Sequence, residues 1–374
     1  MIKYSVGIDV SAATLAWCLS TIDHQQQVKV LATGTVSNST DGFKGLIRSV
    51  QAHRKDKQVP LVWLMEATGV YFENCALWLT KAGEYVSVVL ANKSKKYMES
   101  LGLKSKNDTI DARGLARMGA EQSLSRWQPM SEFFFTLRTM TRQYESLQST
   151  KTSICNQLHA AEHSIYQIPM VTKQLKELIK TLDKQMAQVH AAIVKHLHSD
   201  PVMAEKVDHL CSIKGVGVMS AAVILAETNG FALIRSIGQL VSYCGYDVVE
   251  NQSGNHIGAT RISKRGNPRI RRMLYFPAIT AVHRGVKPLQ DLFDRTYGTH
   301  RIKMKSYVAV QKKLLILIYT LWKKNEPFDE QYSTTASQRK DPVHLTKKDL
   351  KKRRFPTKGR EPQGKRPNES VVSS

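Results

Sequence analysis

Cysteine is scarce: five among 374 residues, at 18, 75, 155, 211 and 244, with no CxxC pair. Odd in number and scattered through apolar stretches, they exclude a disulfide framework and a zinc site. They point instead to buried, reduced thiols in a cytoplasmic protein. Met1-Ile2-Lys3-Tyr4 does not read as a signal peptide. The longest strongly apolar run, Leu314 to Trp322, is too short to span a bilayer. A basic amphipathic anchor is lacking as well, so no membrane partner is expected. Glycine is missing where one class of ATP-binding fold needs it. Gly7-Ile8-Asp9 reads as a strand ending in an acid, but Val10 to Thr14 holds no glycine to bring backbone against a phosphate. Negative charge is also in deficit: 31 acids face 55 Lys and Arg.

What remains is a basic chain of formal net charge +24, with 42% hydrophobic residues, ample for two or three cores. The charge is uneven. Residues 1–120 carry +5, 121–200 carry +2, 201–330 carry +9 and 331–374 carry +8, so 17 of the 24 lie beyond residue 200. A field of that size and sign points to a polyanion, nucleic acid first.

Alternating patterns predict strands over 4–10, 14–21 and 27–36, a helix over 41–50, a buried strand over 60–65, a helix over 71–82 and a strand over 85–90. Strand and helix alternate, which argues an α/β layer with mixed pairing. From 133 to 198 strand signals vanish. Leu137, Met140, Tyr144, Leu147 and their successors step by three and four, and Leu175 to Ile193 repeat the pattern after Pro169. This heptad spacing predicts an antiparallel helical hairpin or an intermolecular coiled coil. Residues 201–330 read as a mostly helical unit. Beyond Ser333 the chain is polar, with Pro356, Pro362, Pro367 and Lys-Lys-Asp-Leu-Lys-Lys-Arg-Arg, and reads as a disordered basic tail.

Four acids stand out. Asp9 ends the first predicted strand and Glu66 the fourth. Asp108 and Asp111 open a later helix, three residues apart and so on one face. Strand ends and helix starts of an α/β layer converge on one edge. Four carboxylates there would repel unless cations such as Mg²⁺ neutralise them, and two such ions could serve phosphodiester cleavage. The bland alternative is a helix cap plus unrelated turn residues.

In the second unit, Gly215-Val216-Gly217 between two apolar stretches resembles a helix-hairpin-helix turn, a seat for phosphate on backbone amides. A plain helix-terminating glycine is the alternative. Residues 251–272 contain no acid but carry Arg261, Lys264, Arg265, Arg269, Arg271 and Arg272. A basic loop followed by a basic helix suits nucleic-acid backbone contact. Ser253 sits in the mouth of that loop among small and polar residues. Its hydroxyl would need cations or metal nearby to attack phosphate.

Taken in order, Gly7-Ile8-Asp9, Glu66-Ala67-Thr68-Gly69, Asp108-Thr109-Ile110-Asp111-Ala112-Arg113, Ile213-Lys214-Gly215-Val216-Gly217, Gln252-Ser253-Gly254 and Ile262-Ser263-Lys264-Arg265-Gly266-Asn267 resemble the insertion-sequence-110 family of transposases. The resemblance covers roughly residues 1–330, and the ordered set is specific where each motif alone is not. It implies a RuvC-like, ribonuclease-H-type catalytic domain over 1–125 with the DEDD tetrad Asp9, Glu66, Asp108 and Asp111 on Mg²⁺. It also implies a helical coiled coil over 132–200 and a C-terminal transposase domain over 201–330 with Ser253 as nucleophile, leaving 331–374 as the tail. The implied partners are donor and target DNA, a noncoding bridge RNA that guides the choice of both, and further copies of the chain, as a homodimer or tetramer joined through the coiled coil. The implied place is cytoplasmic, at the nucleoid. Two departures stand out: Lys214 occupies a position where the family usually has proline, and the tail lies outside the pattern. Two other functions compete: a structure-selective nuclease of the Holliday-junction-resolvase type using water, and a non-catalytic nucleic-acid-binding protein.

Overall fold

The computed structural model describes residues 2–102, 107–232, 234–250, 252–253, 256–258 and 261–329, with 252, 253, 256 and 257 described in backbone only. The predicted basic tail and the Gly254-Asn255 tip lie outside the described residues. The chain divides into two compact units, 1–130 and 131 onward.

The first unit is an α/β layer. Strands β1 (Lys3–Val10), β2 (Thr14–Ile22) and β3 (Val28–Ser37) form an antiparallel meander, and β4 (Leu61–Glu66) and β5 (Val86–Val89) extend it in parallel. The order is β3-β2-β1-β4-β5, which places β1 at the centre. Helices α1 (Thr40–His53) and α2 (Phe72–Lys81) cover one face. There Tyr4, Val6 and Ile8 of β1 and Trp63 and Met65 of β4 pack with Phe43, Leu46, Phe72 and Leu79. Side chains alternate across a strand, so Ser5, Gly7 and Asp9, with Leu64 and Glu66, belong to the other face. That face carries α3 (Ala91–Ser100) and α4 (Asp108–Glu121), with Leu64 and Val89 against Leu115 and Met118. The strands and helices expected up to residue 90 are found within a few residues of their places; α3 was not foreseen.

The second unit is mostly helical. Helices α5 (Glu132–Glu162) and α6 (Pro169–Leu197) are joined by six residues. Ion pairs Lys151–Asp183 and Glu162–Lys176 fix an antiparallel register between them. The heptads therefore pair the two helices as a hairpin within one chain. Leu137, Leu147, Met186 and Ile193 are buried, whereas Ile154, Leu158, Ile179 and Leu182 are half-buried. Helices α7 (Pro201–Cys211) and α8 (Val218–Thr228) follow, then α9 (Ile237–Tyr243). Every residue of α8 from Ser220 to Thr228 is buried, as suits a helix apolar on all sides.

The segment read as a basic loop is a small β arm. Strands β6 (Val248–Val249) and β9 (Arg261–Ile262) pair antiparallel, and β7 (Gln252–Ser253) and β8 (His256–Ile257) pair antiparallel between them. Two-residue strands carry too little alternation to be read from sequence. Helices α10 (Pro268–Met273), α11 (Tyr275–His283), α12 (Lys287–His300) and α13 (Lys303–Lys324) complete the unit. Among the described residues no helix is long and apolar enough to cross a membrane.

Candidate active site

The site is built by an unusually close approach of α4 to β1. A Cβ added at Gly7 would lie 2.1 Å from the Ala116 amide nitrogen and 2.2 Å from the Ala112 carbonyl oxygen. A Cβ at Gly119 would lie 2.2 Å from Ser5 Oγ. Helix and strand thus touch main chain to main chain at Gly7, and at Gly119 the helix main chain lies against the Ser5 side chain. Two strand residues advance about 6.6 Å, as do roughly four helix residues. Moving from Ser5 to Gly7 to Asp9 therefore moves along α4 from Gly119 through Ala116 and Ala112 to its first turn. That turn carries Asp108 and Asp111. Asn107 caps it, its side-chain oxygen accepting from the Ile110 amide at 2.8 Å. Ile8 of β1 stands beside Met65 of the parallel β4, so Asp9 and Glu66 emerge side by side at the same edge.

Electrostatics records the convergence. The Asp9 carboxyl is pushed up to about 6, by burial first, then by Asp111 and Asp108 and more weakly by Glu66; the Val10 amide pulls the other way. All three other acids are thus felt at Asp9. Glu66 is held by two hydroxyls, Thr68 Oγ1 at 2.8 Å and the buried Ser94 Oγ at 2.5 Å. Thr68 is visible two residues along in the sequence. Ser94 lies on α3 and gave no signal of its own.

Four carboxylates with no sulfur or imidazole among them make a hard oxygen donor set, which fits Mg²⁺ or a similar divalent cation. The charge repulsion at Asp9 is what a cation there would relieve. Among the described residues no three His, Cys, Asp or Glu are grouped as a ready-made metal site, so the acids share an edge without closing into a coordination shell.

In the second unit, the backbone of Ser253 lies in β7 opposite His256; both side chains lie outside the described residues. The root of the arm is tightly closed. A Cβ at Gly266 would lie 2.5 Å from the Gly245 amide nitrogen, and Ser263 donates to Asp247 at 2.6 Å. Arg271 donates to the carbonyls of Cys244 and Lys264, at 2.7 and 3.2 Å, and so holds that root. Arg269 and Arg272 both pair with Glu145 of α5. Arg261, Lys264 and Arg265 are exposed. Gly217 caps α8 in open space, whereas Gly215, at φ +105°, lies against the Pro277 carbonyl.

Sequence reasoning missed the centre of this unit. Glu227 of α8, its side chain 3% exposed, accepts from Arg142 Nε and Nη2 at 2.8 and 3.1 Å and from Asn267 Nδ2 at 2.8 Å. Asn267 also caps α10. Burial raises the Glu227 carboxyl, but Arg142 and Asn267 outweigh it and hold the group below its usual range. Arg142→Ala would strand a buried carboxylate. A fully buried pair costs about 3–5 kcal/mol to break. Arg142 is 42% exposed, so water screens the loss to roughly 2 kcal/mol. The depressed carboxyl makes this stability full above the unfolded carboxylate range and lost as pH falls through the lower, folded value. Urea melts of Arg142→Ala and the parent should differ at pH 7 and converge in strong acid; equal midpoints at pH 7 would rule the network out as a stabiliser.

The acids thus gather on the edge of a mixed sheet, in a chain of formal net charge +24. A family model described as a transposase of the DEDD type matches residues 6–167, and one described as the transposase IS116/IS110/IS902 family matches 207–294. The chain belongs to the IS110 family of transposases. The pilin gene-inverting proteins of Moraxella lacunata and Moraxella bovis are each 27% identical to it over 332 residues, 88% of this chain and 99% of theirs. A probable family 20 transposase of Pseudomonas aeruginosa is 21% identical over 254 residues, 60% of this chain and 72% of its own. The solved RuvC of Thermus thermophilus aligns with 33% of this chain and 99% of its own, at 13% identity and a TM-score of 0.26. In complex with a Holliday junction substrate the figures are 32%, 93%, 14% and 0.24. Likenesses that slight add nothing to the family assignment.

Proposed function

We propose that this chain is a divalent-metal-dependent DNA recombinase, with Asp9, Glu66, Asp108 and Asp111 as the metal-holding acids and Ser253 as the nucleophile. The observation that carries the reading is the Asp9 carboxyl, pushed up to about 6 in part by the three other acids. Divalent cations held by these acids would supply positive charge to the scissile phosphate. Glu66 accepts from Thr68 and Ser94, which hold its carboxylate in place. Ser253 Oγ attacks phosphorus, its proton leaves, and the deoxyribose oxygen departs with a proton as a hydroxyl. The new serine–phosphate ester keeps the bond energy, so a second hydroxyl can reverse the step on another strand without ATP. Exposed Arg261, Lys264 and Arg265 of the arm contact phosphate, with Gly217 at the start of α8 a further seat.

Choice of donor and target falls to a noncoding guide RNA, in keeping with the family resemblance and the net charge of +24. Copies of the chain associate through the hairpin of α5 and α6, whose tip exposes Ile165 and Tyr166. The domains proposed are 1–125, 132–200 and 201–330.

The test is chemical. Full-length protein, guide RNA and Mg²⁺ are reacted with end-labelled DNA and quenched in denaturant. A protein–DNA adduct should survive, map to the peptide holding Ser253, and vanish in Ser253→Ala and in EDTA. Cleavage and strand exchange by Ser253→Ala would put the resolvase-like reading, with water as nucleophile, in its place.

A further inference from the structure

A groove of about 760 Å³ runs through the second unit, between α5 on one side and α8, α10 and α11 on the other. Its α5 wall is a polar face, with the exposed Gln148, Ser149, Thr152 and Asn156 recurring at helical spacing. Gln148 to Asn156 spans about 12 Å of helix. The opposite wall brings Arg269, Arg272 and Phe276. Phe276 is 73% exposed, an aromatic face open to solvent, and the Arg272 side chain is 70% exposed. The two acids in the groove are already answered, Glu227 by Arg142 and Asn267, and Glu145 by Arg269 and Arg272. A guanidinium has five donors, so Arg272 keeps N–H groups for a further anion while paired with Glu145.

We propose that this groove binds an unpaired stretch of nucleic acid, with a base stacked on Phe276, a phosphate on Arg272, and sugar and base edges along the hydroxyls and amides of α5. Stacking platforms beside cationic groups are what an unpaired strand needs, because every base has a π face. The volume is that of a small-ligand site and takes unpaired nucleotides, not a duplex. An acidic peptide would use the arginines but has no use for an open aromatic face. The inference rests on the reading that the chain handles nucleic acid, and not on its metal or its serine.

The probe is a fluorescein-labelled single strand, dT12 or U12, titrated by anisotropy against the full-length protein in EDTA. Chemistry is then silent, so failure of the catalytic reading leaves this measurement untouched. Phe276→Ala should weaken binding by about fivefold to a hundredfold, the value of one stacked base, and leave binding of a 12-base-pair duplex unchanged. Arg272→Ala should lower the slope of log affinity against log salt by about 0.7. A larger Phe276→Ala loss on dT12 assigns the strand as DNA, and on U12 as RNA. Equal affinity of parent and Phe276→Ala for both strands overturns the proposal. So does displacement of the strand by polyglutamate that Arg272→Ala weakens and Phe276→Ala does not. Should Arg272→Ala melt early through loss of its Glu145 pair, photocrosslinking of the parent to 5-iodouracil strands decides. Crosslinks must include the peptide bearing Phe276, and their confinement to other peptides overturns it too.

Discussion

Asp9→Asn should slow strand exchange by about two to four powers of ten, and in the same metal-free protein it should raise stability. The first effect follows from removing a carboxylate from the centre of the acid set. The second follows from the raised Asp9 carboxyl, at about 6 in the fold against 3.8 for an ordinary aspartate. A raised acid means the folded state holds its proton more tightly than the unfolded chain. Folding is therefore penalised in full above pH ~6, and the penalty fades as pH falls below that and is gone by about pH 3, where both states are protonated. The shift corresponds to at most about 3 kcal/mol, and water at this half-exposed group reduces it to roughly 1–2. Asparagine carries no charge and escapes the penalty. Thermal melts in EDTA should show Asp9→Asn above the parent by a few degrees at pH 8 and level with it near about pH 3. Mg²⁺ should raise the melting point of the parent more than that of the variant. A variant that melts below the parent at pH 8 would show that the acids do not repel one another as the fold implies.

Much of the first unit was legible because its strands are buried on one or both faces and its turns are short. Period-two alternation in Tyr4–Val10 and the apolar run before Glu66 leave few other assignments. The four acids were legible for a related reason: each sits at an element end, where side chains leave the layer. What sequence does not display is the distance between main chains. Gly7 reads as one glycine among 21. Only the packing of Ala112 and Ala116 on it shows why the first turn of α4 reaches Asp9.

The second unit was less legible. The heptads marked out two long helices on either side of Pro169, but not their pairing, because the same pattern serves a hairpin inside one chain and a seam between chains. The arginines of α10 read as a uniform basic patch. In the fold they divide, with Arg271 turned onto carbonyls at the root of the β arm and Arg269 and Arg272 onto Glu145. The two pairings with Glu145 join residues more than 100 positions apart, and no local pattern announces them. Glu227, near the end of the apolar α8, is the node linking α5, α8 and α10.

Gly7→Ala should disable the protein as thoroughly as loss of an acid, although no functional group is removed. The added methyl would stand 2.1 Å from the Ala116 nitrogen and 2.2 Å from the Ala112 oxygen, and both obstacles are backbone. No rotamer change relieves such a contact, so α4 must lift from β1 or β1 must shift in the sheet. Overpacking of this kind costs about 1–3 kcal/mol, and a rigid backbone obstacle belongs at the upper end. The functional loss is larger. A 1 Å displacement of reacting groups can cost about a hundredfold in rate, and here Asp108 and Asp111 move together relative to Asp9 and Glu66. Ala116→Gly should not rescue the variant, since the obstacle is a main-chain nitrogen that glycine retains. Gly45→Ala is the control: it lies in α1 with nothing within 4 Å of the added carbon. Alanine there should be neutral or stabilising by about 0.5–1 kcal/mol, as in any open helical position. Melting temperature and strand-exchange rate measured side by side decide the matter. Gly7→Ala should fall in both and Gly45→Ala in neither. A Gly7→Ala protein that melts and exchanges strands like the parent would mean that α4 does not owe its place over Asp9 to the missing side chain.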